Sequence, residues 1–239
     1  MAVFAISDLH LSIENESKSM SFFGNRWLDY AEKIEKNWKK IVASDDTVII
    51  PGDISWASSM NEALTDLKFL DSLPGKKILS KGNHDFWWST VTKINSFFAE
   101  NSIDSISILY NGAMEIEDFI ITGTRGWFSE PSLQNTVQKT DYNKIISREA
   151  IRLNIALTEA KKLQEQSGKE IIAFFHFPPL WKDFCDDNTF DMLIDANVKR
   201  CYFGHIHGCY GLPEKTTYRN IELSMISADY LNFTPKLIY

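Results

Sequence analysis

Cysteine is scarce in this chain of 239 residues, which contains only Cys185, Cys201 and Cys209. An odd and small number of cysteines argues against a disulfide framework. Met1 is followed by neither a basic segment nor a small-residue cleavage site, and no apolar run reaches the length of a membrane span. These absences predict a cytoplasmic protein without a membrane partner.

Basic residues are outnumbered as well. The chain has 25 Lys and Arg against 32 Asp and Glu, so its formal net charge is −7. Proteins that bind nucleic acid generally carry a basic excess, and this balance therefore argues against a nucleic-acid partner. A small phosphorylated substrate is compatible with it, because bound metal ions would supply positive charge locally. We find no signal of oligomeric state.

The sequence shows no internal repeat, low-complexity tract or linker. Its length suits one sizeable domain, and 44% apolar residues are enough for a large core. We therefore predict a single domain over residues 1–239.

Buried strands alternate with amphipathic helices in the first part of the chain. The predicted strands are Ala2–Ile6, Thr47–Ile50 and Lys77–Leu79. Helices are predicted at about residues 25–43, from a capping box formed by Ser59 and Glu62, and around Ile94. Such alternation is typical of βαβ units with parallel strands.

Further strands are predicted in the second part, together with one long helix over residues 143–166 that stops at Gly168. The strands are Ser107–Tyr110, Phe119–Thr122, Ile171–Phe175, Lys199–Phe203 and two or three more within residues 216–239. Two successive sets of strands with flanking helices predict an α/β fold with two sheets packed face to face and helices outside.

All five histidines follow predicted strands, in segments that also contain Asp, Asn or Gly; they are His10, His84, His176, His205 and His207. A lone histidine at such a place is usually a surface or core residue. Five of five indicate a site, because ligands bind at strand ends in α/β sheets.

The spacing of these residues suggests shared geometry. Asp8 and His10 are two residues apart, as are His205 and His207. In an extended chain, such pairs point to the same side and could enter one cleft. Asp53 follows a glycine that permits a sharp turn.

Asn83 likewise follows Gly82, which brings the number of candidate metal ligands to seven. Imidazole, carboxylate and amide oxygen suit Mn²⁺, iron or Zn²⁺. Seven ligands exceed what one catalytic ion needs and fit two ions that share a bridging carboxylate.

These segments resemble the calcineurin-like metallophosphoesterase family, and they occur in the family's order. The matching segments are Asp8-Leu9-His10, Gly52-Asp53, Gly82-Asn83-His84-Asp85, His176 and Gly204-His205-Ile206-His207. The resemblance implies a four-layer α/β/β/α sandwich with two packed mixed β-sheets and a dinuclear metal site at strand ends.

The resemblance also implies residue roles. One ion would be held by Asp8, His10 and His207, the other by Asn83, His176 and His205, with Asp53 as the bridge. A bridging hydroxide between two such ions attacks phosphorus. His84 remains as the general acid for the leaving group. Asp85 would orient His84 or cap the next helix.

Departures from subfamily patterns favour a phosphodiesterase-like member. Ile54-Ser55-Trp56 follows Asp53, where serine/threonine phosphoprotein phosphatases continue differently. UDP-sugar pyrophosphohydrolases of the lipid A pathway, which resemble the first segment, usually carry Arg in place of His84.

Two features beyond these segments are candidates for substrate contact. Arg125, between a strand and Gly126, could bind a substrate phosphate, or it could be a surface residue that caps a turn. Residues 127–142 could form a lid over the cleft or a plain surface loop.

We therefore predict a metal-dependent phosphoesterase that acts on a phosphodiester or a small phosphorylated metabolite. One alternative is a catalytically silent phosphate-binding or scaffold protein with the same fold, which would tolerate degenerate ligands. Another is a single-metal amide hydrolase, which would leave several of the seven ligands unused.

Overall fold

The computed structural model describes residues 1–130, 133 and 141–239. The strands are β1 (Val3–Ala5), β2 (Thr47–Pro51), β3 (Lys76–Ser80), β4 (Ile106–Ile108), β5 (Ala113–Ile116), β6 (Phe119–Thr124), β7 (Glu170–Phe175), β8 (Leu180–Trp181), β9 (Phe184–Cys185), β10 (Arg200–Phe203), β11 (Thr216–Tyr218), β12 (Ile221–Met225) and β13 (Lys236–Leu237). The α-helices are α1 (Tyr30–Ile41), α2 (Leu64–Ser72), α3 (Val91–Glu100), α4 (Tyr142–Ser167) and α5 (Asp187–Asp195). Short 3₁₀ helices at Glu16–Lys18, Met20–Phe23 and Asn25–Trp27 precede α1.

The described chain divides into two compact units, each with one large sheet. The first unit comprises Met1–Ile108, His205–Gly211 and Ile226–Tyr239, and the second comprises Leu109–Gly204 and Leu212–Met225. One domain over residues 1–239 stays a prediction, as does the four-layer packing of the two sheets.

The sheet of the first unit has the order β13-β1-β2-β3-β4. Its four strands β1 to β4 are parallel, and β13 pairs antiparallel with β1 at the edge. Every residue of β1 and β2 is buried, as expected for central strands covered on both faces. Because the strands are parallel, β1, β2 and β3 end at the same edge of the sheet.

The sheet of the second unit has the order β11-β12-β10-β7-β6-β5. Parallel strands β12, β10, β7 and β6 form its centre, and antiparallel strands β11 and β5 form its edges. The prediction of an α/β fold with two large mixed sheets is confirmed. The small hairpin of β8 and β9 and helix α5 were not predicted.

The helix boundaries show where local patterns misled. The predicted helix at residues 25–43 is shorter, because Asp29 takes a left-handed backbone with φ of 52° and separates the preceding 3₁₀ turn from α1. The predicted stop at Gly168 is confirmed, since this residue ends α4 with φ of 71° and donates its N–H to Gln164 O. The box at Ser59 is half formed: Ser59 Oγ accepts from Glu62 N, but Glu62 accepts from Ser58 N.

Within the described ranges, no helix combines the length and apolarity that a bilayer crossing requires. Cys185, Cys201 and Cys209 are all free thiols. Burial raises the pKa of the Cys201 thiol, which sits inside strand β10 as a small apolar residue.

Lys77, on strand β3 of the first sheet, has a fully buried side chain. Its ammonium donates to the carbonyls of Leu73 and Gly75, at 2.5 and 2.9 Å, and to Ser105 Oγ at 2.8 Å. We expect Lys77→Met to lower the free energy of unfolding by about 2–4 kcal/mol, because these acceptors would remain buried without a donor. Urea unfolding would measure this, with exposed Lys76→Met as the control.

The same substitution has a pH signature. Burial lowers the pKa of Lys77 from 10.5 to about 8, against the raising effect of Asp71. Between these values the unfolded chain binds more protons than the folded chain, so wild-type stability should rise with pH relative to Lys77→Met. A stability difference that stays constant from pH 7 to pH 10 would contradict this.

Candidate metal centre

Two loops that leave the first sheet carry three of the predicted ligands. Asp8 and His10 follow β1, and Asp53 follows β2. The loops are joined by backbone hydrogen bonds, in which Asp8 N donates to Gly52 O at 3.1 Å and His10 N donates to Asp53 O at 2.9 Å. Parallel strand order together with these bonds places the three side chains side by side.

The backbone at these residues is not extended. Asp8, His10, Asp53 and His205 all have positive φ, at 59°, 48°, 52° and 68°. Each left-handed non-glycine residue costs roughly 1–2 kcal/mol, and such strain concentrates at functional sites. We predicted that residues two apart point to the same side because the chain is extended. The chain is not extended at these residues, so the premise of that prediction is wrong.

Asp8, His10 and His207 form one compact group of donors. Their ligand atoms all lie within 4.8 Å of one another. His10 Nε2 is 3.2 Å from His207 Nε2, which in turn is 3.7 Å from Asp8 Oδ1. Tertiary structure thus brings together residues nearly 200 positions apart in the chain, in the combination that the family resemblance implied.

Asp53 and His205 form the neighbouring pair, with ligand atoms within 4.8 Å of each other. Asp53 Oδ2 is also 3.6 Å from His10 Nε2, so this carboxylate lies next to the first group, where a bridging ligand would stand. His205 is positioned through its backbone N–H, which donates to both carboxylate oxygens of Asp8 at 2.9 Å. The pair His205 and His207 is therefore divided between two groups.

The two remaining predicted ligands are placed by other elements. His176 belongs to the second unit, where it directly follows β7 and is fully buried. Its carbonyl accepts a hydrogen bond from Gly204 N at 3.1 Å. Asn83 lies in the turn after β3, half buried. Their roles as ligands stay predictions.

Asp229 is a residue of this site that the sequence reasoning missed. Its buried carboxylate lies 2.9 Å from His207 Nδ1, and it also accepts from Gly208 N at 3.0 Å and Tyr210 Oη at 3.2 Å. When neutral His207 donates its Nδ1–H to Asp229, its Nε2 lone pair points to Asp8 and His10. Asp229 follows the buried strand β12. Elsewhere in the chain, carboxylates after buried strands were predicted as metal ligands, so the same sequence signal could have identified Asp229.

The pKa values of this pair show how strongly the site favours positive charge. Burial alone would lower the pKa of His207, but the hydrogen bond to Asp229 and the charge of Asp8 raise it above its usual value. Burial alone would raise the pKa of Asp229, yet its bond with His207 keeps it below the usual value. His207 therefore lies between the carboxylates of Asp8 and Asp229, which is an environment that suits a cation. The donor set therefore fits Mn²⁺, iron or Zn²⁺.

The Asp85 carboxylate binds the backbone of the loop that carries Asp53. It accepts backbone N–H bonds from Asp53, Ile54, Ser55 and Gly82, at 2.8–3.2 Å, and a fifth bond from Trp87 Nε1. The cap of α3 is Thr90, whose side chain accepts from Lys93 N. The prediction that Asp85 caps the helix is therefore wrong, and its carboxylate binds the backbone that presents Asp53. That Asp85 orients His84 stays a prediction.

The surroundings of Asp85 disfavour the charged form of its carboxyl group. Burial and the nearby carboxylate of Asp53 raise the pKa of Asp85 to about 6, while its backbone N–H partners act in the opposite direction. Gly82 makes this close packing feasible, because a Cβ there would lie 2.1 Å from Asp53 Oδ1 and 2.2 Å from Asp53 N. Any side chain at position 82 would displace Asp53.

His84 lies beside the donor groups. Its backbone N–H donates to Asp53 Oδ1 at 2.8 Å, and its half-buried ring lies 5.7 Å from the His10 ring, measured between centroids. Trp56 packs against both imidazoles, at 4.4 Å from His84 and 4.8 Å from His10. The role of His84 as general acid stays a prediction.

Arg125 lies in the second unit, directly after β6. Its guanidinium donates to Glu149 Oε1 of α4 at 3.1 Å and lies over the Trp127 ring, 4.7 Å from the centroid. Arg152 binds the same Glu149 oxygen. These contacts are not those of a surface residue that caps a turn. Binding of a substrate phosphate by Arg125 stays a prediction. The predicted lid at residues 127–142 falls largely outside the described residues.

We expect Asp229→Asn to weaken metal binding about 10- to 100-fold, as is typical when the partner of a ligating histidine is changed. The change keeps the size of the side chain but removes the charge that polarises His207. Competition with a chromogenic chelator for Mn²⁺ would measure it, with exposed Asp45→Asn as the control. Unchanged affinity would mean that Asp229 merely fills space.

A family model described as calcineurin-like phosphoesterase matches residues 1–209 of the chain. No curated protein sequence matches the chain.

Several solved structures are similar to the chain. Protein AQ665 of unknown function from Aquifex aeolicus is 18% identical, with a TM-score of 0.51 over 99% of this chain and 95% of that one. A phosphopantetheinyl hydrolase from Mycobacterium tuberculosis is 14% identical, with a TM-score of 0.53 and the same coverages of 99% and 95%. TT1561 of Thermus thermophilus is 11% identical, with a TM-score of 0.56 over 98% and 96%. At these identities the likeness concerns the fold.

Proposed function

The chain belongs to the calcineurin-like phosphoesterase family, and from this premise we propose that it hydrolyses a phosphodiester or a small phosphorylated metabolite with two bound metal ions. The family implies metal-dependent hydrolysis of phosphoesters. The observation that carries the proposal is the donor group Asp8, His10 and His207 beside the pair Asp53 and His205.

The donor group Asp8, His10 and His207 would hold one ion. As the family resemblance implies, Asn83, His176 and His205 would hold the other, and Asp53 would be shared between them. When bound, two such ions lower the pKa of a water molecule and neutralise charge on the phosphoryl oxygens. Candidate ions are Mn²⁺, iron and Zn²⁺.

The remaining residues prepare this arrangement. Asp229 holds the tautomer of His207, and Asp85 fixes the loop of Asp53 by accepting from the backbone N–H groups of residues 53 to 55. Both act as positioning residues, because they are separated from the substrate by the ligands themselves. A loop held in this way needs no reorganisation during the reaction.

His84 is the proposed general acid. The ester oxygen that leaves phosphorus carries developing negative charge and requires a proton, which a protonated imidazole can supply. His84 donates its backbone N–H to Asp53 Oδ1, and the residue is half buried beside His10. A backbone held in this way supports the proposal that His84 is a proton donor and not a further ligand.

We favour a phosphodiester because His84 stands where the UDP-sugar pyrophosphohydrolases that the first segment resembles usually carry Arg. We place the reaction in the cytoplasm, which agrees with three free thiols. The alternative of a silent phosphate-binding protein would tolerate degenerate ligand segments, whereas all seven predicted ligand positions of this chain carry residues that can bind a metal ion.

The test is hydrolysis of an aryl phosphodiester and an aryl phosphomonoester, side by side, with Mn²⁺ added and then chelated. We expect turnover of the diester to exceed that of the monoester and to disappear with the chelator. Preference for the monoester would redirect the substrate to phosphorylated metabolites. Metal binding without turnover of either compound would support the silent alternative.

A further inference from the structure

An aromatic groove opens on the first unit beside the candidate metal centre. We define it by Phe22, Phe23, Trp56 and Phe86, which line a space of about 450 Å³ together with Lys18 and Ser58. Ligand pockets in proteins typically measure about 300–1,000 Å³. The groove is therefore large enough for one or two rings of a small molecule.

The exposure of its walls distinguishes this groove from core packing. Phe22, Phe23 and Phe86 are 74%, 70% and 64% exposed, which makes them the three most exposed aromatic side chains of the described chain. Phe22 and Phe23 come from the short 3₁₀ helix Met20–Phe23, whereas Phe86 comes from the turn after β3. Apolar rings that converge from separate segments and stay in solvent indicate a binding surface.

The groove is continuous with the candidate metal centre through its tryptophan. The Trp56 ring is stacked on His10 with an interplanar angle of 23° and contacts His84. The Phe86 ring lies 6.1 Å from His84 in an edge-to-face arrangement. His84 thus lies between His10 and Phe86, whereas Trp56 contacts His10 directly.

The charge of the groove also restricts which molecules can bind in it. Lys18 Nζ binds Glu62 Oε1 at 2.6 Å and also donates to Trp56 O and Ser58 Oγ, so its charge is compensated. Among the described residues that line the groove, an anionic occupant would find no cation except Lys18, which is already paired. A neutral, flat ring would stack on tryptophan and phenylalanine faces.

We propose that the aromatic groove binds a neutral aromatic ring on the alcohol that leaves when the phosphoester is cleaved. This inference rests on the proposed function, because it uses His84 as the donor to the leaving oxygen. In that step the phosphorus–oxygen bond breaks, water supplies the new oxygen on phosphorus, and His84 gives its proton to the departing alkoxide. The organic part of the alcohol is attached to that oxygen and so lies on the groove side of His84.

The test uses two diesters with Mn²⁺: methyl 2-(2-naphthyl)ethyl phosphate and dimethyl phosphate. Both leaving alcohols are unactivated primary alcohols of similar basicity, so the ring is the main difference. We expect kcat/KM to favour the naphthyl diester by about 10- to 100-fold, as is typical of stacking on aromatic side chains. Chromatography should find released naphthylethanol rather than methanol.

Variants connect this preference to the groove. Combining Phe22→Ser with Phe86→Ser should lower the naphthyl-to-dimethyl ratio about 10-fold, mainly through KM. Leu237→Ser, an equally exposed apolar residue of the same unit outside the groove, should leave the ratio unchanged. Saturation-transfer NMR with 2-(2-naphthyl)ethanol and metal-free protein gives a readout that does not depend on turnover, and the signal should vanish in the double variant.

The outcomes separate this inference from the proposed function. Metal-dependent turnover of both diesters without preference would overturn the groove and leave the phosphoesterase intact. Release of methanol from the naphthyl diester would overturn the leaving-group assignment. Absence of turnover would count against the proposed function, even if naphthylethanol bound in the groove. Co-sedimentation with phosphatidylcholine vesicles that requires Phe22, with no ring preference, would replace the small ligand by a lipid surface.

Discussion

Asp53→Asn protein should bind no more than one metal ion per chain and lose activity by more than about 100-fold, since changing an outer partner of a ligand alone costs 10- to 100-fold. Asp53 is nearly fully buried, and its carboxylate lies between His10 and the backbone of His84. An amide has the same shape but lacks the charge and the second oxygen acceptor that two ions would share.

Without metal, the same variant should be at least as stable as the wild type. Burial raises the pKa of Asp85, and the charge of Asp53 raises it further because two nearby carboxylates repel each other. Removing one charge relieves this repulsion, whereas the Tm increase on adding Mn²⁺ should shrink because binding to the folded state is what stabilises it. Elemental analysis and thermal unfolding with and without Mn²⁺ would measure both effects.

The matched control is Asp46→Asn, because Asp46 is another buried carboxylate of the first unit. It lies before β2, whereas Asp53 lies after it, and accepts from Ala2 N and Ala43 N. This variant should lose stability and keep its metal. If Asp53→Asn retained two ions and its full Tm response, the assignment of Asp53 as a shared ligand would be wrong.

His84→Asn should keep its metal but lose activity to an extent that depends on the leaving group. A positioned general acid contributes about 10²- to 10⁴-fold when the leaving oxygen needs a proton. We expect a loss in this range for a dialkyl phosphate. For a 4-nitrophenyl diester the loss should be much smaller, because nitrophenolate is stable without protonation.

His10→Asn provides the contrast. His10 lies 3.2 Å from His207 in the first donor group, so its loss should reduce metal binding and slow both substrates by the same factor. Measurement of kcat/KM for both diesters in both variants, with metal content determined in parallel, separates the two roles. Equal losses for both substrates in His84→Asn would show that His84 acts on the phosphoryl group instead of the leaving oxygen.

Local pattern was sufficient for most of the fold. Buried strands such as Thr47–Pro51 are short apolar runs, and α4 combines a helical period with a glycine stop, so neighbours in the chain carry the information. Helix α5 was missed because its nine residues span only about two and a half turns. The start of α1 was misplaced, since Asp29 adopts a left-handed backbone that its residue type permits but does not require.

For the candidate site, the sequence by itself determined which residues stand at strand ends and which chemistry they offer, because strands and the turns after them are local. Only the tertiary structure decided how they combine. His205 and His207 go to different donor groups, Asp229 holds His207, and Asp85 holds the loop of Asp53. Those contacts join positions from about 20 to nearly 200 residues apart, and a distance of that kind depends on the packing of the whole chain rather than on any segment.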